Sequence, residues 1–442
     1  MHFVRIAICV ALISMVTALS ARAQGLLRDP DIEYALGKLA EPILQISGLG
    51  PSSIDILIVN DGRLNAFVVD RSHIFINSGL IDRMTTPEML QAVIAHEAAH
   101  IANGHLARRT VNFRNARSAA GIGSILAAAA AVVSGAPEAA GALAAGVQTS
   151  ATRRFFAHTR AEENAADQTA LRYMTSAGID PIGMLDVLNL FRGQELLSTS
   201  RRDVYARTHP LSRDRFRVVE QAANANAGKF THNENSRYWF MRAKSKLSAF
   251  QRAPKWTLTR AGESGYADVK AMRQAVAHHR QSQAGKAIEY MQRAIAERPN
   301  DPYYYELFGQ ILFESRRFDA AVDAYAKAAE GAPRNALILG SYGRALLATG
   351  KTREALELLE KSRARDGRDG RVLRDMALAY AKLGNNGMAS VVTAERHAMF
   401  NRYDDARIHA KRAITLLPDG SAGWRRAQDV LIVGKQQAKN RR

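Results

Sequence analysis

The chain has 442 residues and an apolar content of 47%, which predicts two or three folded domains and excludes a largely disordered protein. Its net charge of +19 is compatible with binding to an anionic membrane surface or to acidic client proteins. The alternative is that the charge only keeps the protein soluble. Cys9 is the single cysteine, so disulfides and cysteine metal ligands are excluded.

The first 23 residues are typical of a signal peptide. Arg5 supplies a basic start, an apolar run follows from Ile6 to Leu19, and Ala21-Arg22-Ala23 offers a cleavage site. A retained membrane anchor is the alternative, but the run is shorter than the ~20 residues that a spanning helix needs. We therefore expect a secreted, periplasmic protein, for which nucleic acid is not an expected partner.

An entry helix is predicted over 29–50. Three short apolar runs follow, at 54–59, 66–69 and 73–76, with turn residues between them, and they predict a small sheet with hairpin connections. The next helix begins at Thr86-Pro87, because a capping residue precedes a proline at the first helical position.

This helix carries His96-Glu97-Ala98-Ala99-His100, an HExxH motif. Residues four apart project from one face of a helix, so both imidazoles can bind one metal ion. Bound zinc acidifies a water molecule, and Glu97 can take its proton as general base. Two solvated histidines are the alternative, but apolar neighbours such as Val93 and Ile101 indicate a buried element, where charged groups need partners.

A catalytic zinc ion needs a third protein ligand. The candidates are Glu162, Glu163 and Asp167, on a helix predicted over 159–178. Glu163 and Asp167 are four apart, so one could bind zinc while the other orients a ligand histidine. An ordinary acidic first turn is the alternative.

An Ala/Gly-rich segment at 118–149 lies between these two helices. It is split near 134–137, and each half is too short to span a bilayer. A buried or lid-like helical hairpin is one interpretation, and contact with a membrane surface is the other.

The last third of the chain is repetitive. Four alanines, Ala287, Ala321, Ala355 and Ala389, recur with the 34-residue period of tetratricopeptide repeats. Small residues at this spacing let paired helices pack closely. The pattern predicts a repeat domain over 267–435, a linker at 251–266 and a preceding domain over 24–250.

HEAAH, the ENAAD sequence about 60 residues later and Thr208-His209-Pro210-Leu211 resemble the HtpX/BepA-type family of zinc metalloproteases. The similarity covers roughly residues 30–220. Together with the signal peptide and the repeats, the chain resembles the periplasmic BepA-like branch of that family.

The resemblance implies a mainly α protein. Its α+β protease domain would be of the HExxH zincin type with a small sheet, followed by an α-solenoid of tetratricopeptide repeats. It implies one zinc ion per chain, held by His96, His100 and Glu163. Glu97 would be the general base, and Asp167 would orient a ligand.

Four further features lead to expectations. His209 lies near the metal in this family, so it would either stabilise an oxyanion or occupy the fourth zinc position and keep the enzyme latent; a structural turn histidine is the alternative. Arg215 could pair with a site carboxylate, whereas His105 is interpreted as a helix-end residue. The run from His73 to Asn77 is expected to be an edge strand that binds extended substrates.

The resemblance thus implies a zinc endopeptidase that degrades misfolded or misassembled envelope proteins, outer-membrane proteins in particular. The repeats would recruit clients or outer-membrane assembly machinery. The alternative is a chaperone or scaffold with a silent metal site. The intact Glu97 favours the enzyme, because a structural metal site does not need it.

Overall fold

The computed structural model describes residues 25–107, 159–194, 197 and 203–440. The predicted signal peptide and the segment at 118–149 lie outside these residues. Within the described part, no helix is both long enough and apolar enough to cross a membrane.

The sheet has four strands: β1 (Leu26–Leu27), β2 (Asp55–Val59), β3 (Ala66–Val68) and β4 (His73–Asn77), in the order β1-β2-β4-β3. The predicted hairpin exists between β3 and β4, which are antiparallel. The expectation of hairpins throughout was wrong, because β2 pairs in parallel with β4.

The expectation that His73–Asn77 is an edge strand was also wrong. Strand β4 lies between β2 and β3, and all five of its residues are buried. A continuous apolar run is typical of a strand covered on both faces, and this strand has one in Ile74-Phe75-Ile76. The edges of the sheet are β1 and β3, and the functional site lies next to β3.

Eight helices complete the described part of the first domain: α1 (Pro30–Ile46), α2 (Ser78–Arg83), α3 (Pro87–Ala102), α4 (Arg160–Ser176), α5 (Ile182–Leu190), α6 (Val204–Thr208), α7 (Arg213–Asn226) and α8 (Glu234–Gln251). Helix α3 is central, and it packs against α1, α4 and α5. Thr86 caps its start, as predicted, by accepting a hydrogen bond from the Met89 amide, and Asn103 ends it. Because α3 is buried along nearly its whole length, every polar group on it needs a partner.

The repeat array consists of helices packed in sequential pairs, and the predicted solenoid is confirmed. Its helices are α10 (Ala267–Arg280), α11 (Ala284–Glu297), α12 (Pro302–Glu314), α13 (Phe318–Gly331), α14 (Ala336–Ala348), α15 (Thr352–Arg365), α16 (Gly370–Lys382), α17 (Asn386–Met399), α18 (Tyr403–Leu416) and α19 (Ala422–Asn440). Ala287, Ala321 and Ala355 are fully buried, as close helix packing requires. The segment predicted as a linker contains helix α9 (Pro254–Thr259) and a 3-10 turn, and the domain boundaries stay predictions.

Buried charges connect the first domain to the repeats. Arg242 on α8 has no exposed surface; its Nε lies 2.8 Å from Asp31 on α1, and its Nη2 donates to Asp301 at the start of α12 at 2.9 Å. Lys246, one turn further along α8, donates to Asp29 at 2.9 Å. Of these pairs, Arg242–Asp301 joins the first domain to the repeats, so the junction includes a specific polar contact.

Glu306 on α12 has a buried carboxyl group in this junction that lowers the stability of the folded protein once it is ionised. Its burial, only partly offset by Lys246, raises the pKa of its carboxyl to about 7. The unfolded chain therefore loses this proton at lower pH than the folded chain, and stability falls as the pH rises from about 4.5 through 7.

We expect Glu306→Gln to have little effect at pH 4.5 and to stabilise the protein at pH 8 by about 1–3 kcal/mol. Thermal unfolding at both pH values measures this, with the exposed Glu357→Gln as control. An equal shift at both pH values would contradict it.

Candidate metal centre

Helix α3 presents both motif histidines to one point in the interior. The Nε2 atoms of His96 and His100 lie 3.0 Å apart, and neither residue is more than 2% exposed. Glu163 enters from α4 with no exposed surface. Its Oε1 lies 3.3 Å from His100 Nε2, and its Oε2 lies 3.5 Å from His96 Nε2. Two nitrogens and a carboxylate therefore converge.

The start of α4 separates the roles of its two adjacent glutamates. Glu162 forms a capping box with Thr159: its carboxylate accepts from the Thr159 amide at 3.0 Å, and its own amide donates to the Thr159 hydroxyl at 3.2 Å. This fixes Glu162 at the helix end. Glu163, about 100° further around the helix, is left to face α3.

His209 completes the cluster from the turn after α6. Its Nδ1 lies 3.1 Å from Glu163 Oε1 and 3.3 Å from His96 Nε2. Its Nε2 lies 3.3 Å from the Ala66 carbonyl of β3 and 3.4 Å from Glu97 Oε1. The ring stacks on Tyr205 with centroids 4.4 Å apart. His209 therefore faces the ligand cluster with one nitrogen and the edge strand with the other.

Four buried residues thus offer metal-binding atoms that all lie within 4.8 Å of one another: His96, His100, Glu163 and His209. Three imidazole nitrogens and one carboxylate oxygen fit zinc, which prefers four such ligands.

An ion-paired carboxylate lies behind His96. Asp167 Oδ1 is 3.0 Å from His96 Nδ1. Arg215, which is only 1% exposed, holds Asp167 through Nε at 2.5 Å and Nη2 at 2.8 Å, and its Nη1 lies 2.8 Å from Glu163 Oε2. One guanidinium therefore contacts both the carboxylate of the cluster and the carboxylate behind it.

Comparison with known proteins identifies the domain that holds this cluster. Residues 28–223 match the model of peptidase family M48, and residues 312–379 match a tetratricopeptide-repeat model. Residues 28–223 are thus a peptidase M48 domain. The chain is therefore a metalloprotease, with tetratricopeptide repeats after the M48 domain.

The chain is similar to two named proteases and to a solved repeat protein. The beta-barrel assembly-enhancing protease of Escherichia coli is 23% identical over 388 residues, covering 86% of this chain and 78% of the relative. A putative beta-barrel assembly-enhancing protease of Vibrio cholerae is 27% identical over 196 residues, covering 43% of this chain and 39% of the relative. Among solved structures, a MamA chain matches 40% of this chain at 20% identity, with a TM-score of 0.30.

Burial and neighbouring charges set the protonation of the M48 site. Burial opposes a charge on His96, but Asp167 and Glu163 outweigh it and raise the pKa of His96 to about 10. Burial holds the pKa of His100 well below its usual range. Burial would also raise the pKa of Glu163, but His209 and Arg215 outweigh it and hold that pKa well below its usual range. Glu163 is therefore an anionic donor and His100 a neutral one, and His96 must release a proton when it binds a metal ion.

One residue at the M48 site was not recognised from the sequence. His105, interpreted as a helix-end residue, is 1% exposed, and its Nδ1 forms a hydrogen bond of 2.8 Å with His100 Nδ1. A third histidine, directly after the Asn103-Gly104 helix stop that follows the HExxH motif, was the available indication.

Proposed function

We propose that the protein is a zinc endopeptidase for unfolded or misassembled envelope proteins. The observation that supports it best is the convergence of His96, His100 and Glu163 with the buried Glu97 beside them. Zinc held by these residues would acidify a water molecule and polarise the scissile carbonyl.

Glu97 is the group that moves the proton in this proposal. Its carboxylate takes a proton from the attacking water and passes it to the leaving amide nitrogen. It has no exposed surface, so its charge acts in a low-dielectric site. Asp167, anchored by Arg215, keeps His96 in the orientation that directs Nε2 into the cluster.

We propose that His209 keeps the site latent. Its Nδ1 faces the cluster where a fourth ligand would bind, and its Nε2 faces the Ala66 carbonyl. An extended substrate that adds to the edge strand β3 would need that carbonyl, and a catalytic metal would need its fourth position open. Movement of His209 would therefore free both at once.

Changing His209 to alanine tests this proposal. We expect His209→Ala to degrade an unfolded model protein at least about tenfold faster than the unchanged chain, because a ligand and a strand contact are removed together. Gel-based assays with an unfolded and a folded form of one protein measure the rate of degradation and the preference for the unfolded form. A matched control is His278→Phe, which changes a buried histidine in the repeats.

A slower His209→Ala variant would indicate that His209 assists the reaction, as an oxyanion donor would. If neither form cleaves any unfolded protein while zinc is bound, the chaperone or scaffold alternative is favoured.

The relatives and the repeats support a proposal for the cellular setting. The matched relatives are named for enhancing the assembly of beta-barrel proteins, so we propose that outer-membrane proteins are the clients and that the enzyme acts in the periplasm. The array α10–α19 would recruit clients or assembly machinery, since helical repeats present extended surfaces to partners.

A further inference from the structure

The two motif histidines have different partners behind them. His96 Nδ1 faces a carboxylate, Asp167, at 3.0 Å. His100 Nδ1 faces another imidazole, His105 Nδ1, at 2.8 Å. The His100 and His105 ring centroids lie 4.9 Å apart at 68°, and both side chains are buried.

Metal binding through His100 Nε2 would fix which nitrogen of each ring carries a hydrogen. His100 Nε2 points into the cluster, 3.0 Å from His96 Nε2, so its lone pair is the one offered to a metal ion. A neutral imidazole with a free Nε2 lone pair carries its hydrogen on Nδ1. His100 Nδ1–H therefore donates to His105 Nδ1, and His105 carries its own hydrogen on Nε2.

A glycine turn brings His105 to this position. Residues five apart on a continuous helix are separated by about 140°, so a longer α3 would direct His105 away from His100. The helix instead ends at Asn103, and Gly104 has a φ of +68°, in the left-handed region that favours glycine. The chain reverses there, and His105 returns to the buried side.

We propose that His105 is a positioning residue that fixes the ring orientation and tautomer of His100; this rests on the proposed zinc site. Metal-binding histidines almost always donate their second N–H, and loss of the acceptor costs roughly 10–100-fold in metal affinity. His105 supplies this acceptor without a charge. Another carboxylate would add to the buried negative charge of Glu97, Glu163 and Asp167.

Two variants separate the effect of the hydrogen-bond acceptor on His105 from the effect of its aromatic ring. His105→Phe keeps an aromatic ring without an acceptor, and His105→Asn keeps an acceptor oxygen near the position of Nδ1. His105→Leu, also without an acceptor, replaces the phenylalanine variant if that does not fold. His278→Phe is the control, because His278 is also buried and stacks on Tyr290, but within the repeats.

The measurement is zinc affinity by competition with a chelator, together with thermal unfolding of the zinc-free proteins. We expect His105→Phe to bind zinc about 10–100-fold more weakly, and His105→Asn and the control to stay within about threefold of the unchanged chain. The unfolding temperatures of the zinc-free variants should stay close together.

Equal zinc affinity in His105→Phe and the unchanged chain would overturn the inference. So would an equal loss in His105→Asn, because the ring rather than the acceptor would then matter. If the unchanged chain does not bind zinc at all, the proposed function fails first and this inference fails with it.

Discussion

Glu97→Gln, made in the His209→Ala background, is expected to lower degradation of an unfolded protein by about 10²–10⁴-fold, the contribution typical of a general base. Glutamine has nearly the shape of glutamate but cannot take a proton from water. Zinc content should be unchanged, because Glu97 is not among the ligands of the cluster. Initial rates of degradation and zinc content measure the two quantities.

The matched control for Glu97 lies on the same helix. Glu88, in the first turn of α3, is also buried, at 8% exposure, but it is not part of the cluster. Glu88→Gln should keep the rate of the His209→Ala background. If Glu97→Gln degrades the protein as fast as this control, Glu97 is not the base.

Arg215→Met is expected to destabilise the zinc-free protein by about 3–5 kcal/mol. Arg215 is only 1% exposed and contacts both Asp167 and Glu163, so its removal leaves two buried carboxylates without their cation. Zinc should restore part of the loss, since a bound cation replaces part of the missing charge. Thermal or denaturant unfolding with and without zinc measures both effects.

Arg217→Met is the control for Arg215, because Arg217 lies on the same helix, is 68% exposed and pairs with Asp214. Its loss should cost no more than about 1 kcal/mol, as for other surface pairs. Equal stability of the two variants would show that the buried contacts of Arg215 do not support the fold.

The local features of the site could be predicted from the sequence. The two histidines share a helix face because they are four residues apart, and the ends of α3 follow from Thr86 and Asn103. Choosing Glu163 over Glu162 required the family resemblance. Its structural reason, the capping box with Thr159, is visible only once the start of α4 is known.

Features that depend on distant contacts could not be predicted. The position of β4 inside the sheet depends on its parallel pairing with β2, which no turn encodes. The contact between His105 and His100 requires a chain reversal at Gly104, whereas spacing along a regular helix would separate them. The buried charges of Arg242 and Lys246 find partners in three different helices or turns, and periodicity does not predict such pairing.

In the proposed site, His96, His100 and Glu163 hold zinc and His209 closes its fourth position. X-ray absorption spectroscopy at the zinc edge tests this ligand set by comparing the zinc-loaded unchanged chain with zinc-loaded His209→Ala. We predict one zinc ion per chain, with three imidazole ligands and one carboxylate in the unchanged chain, and one imidazole fewer in the variant. The same number of imidazoles in both proteins would contradict the latent arrangement, and absence of bound zinc would contradict the site itself.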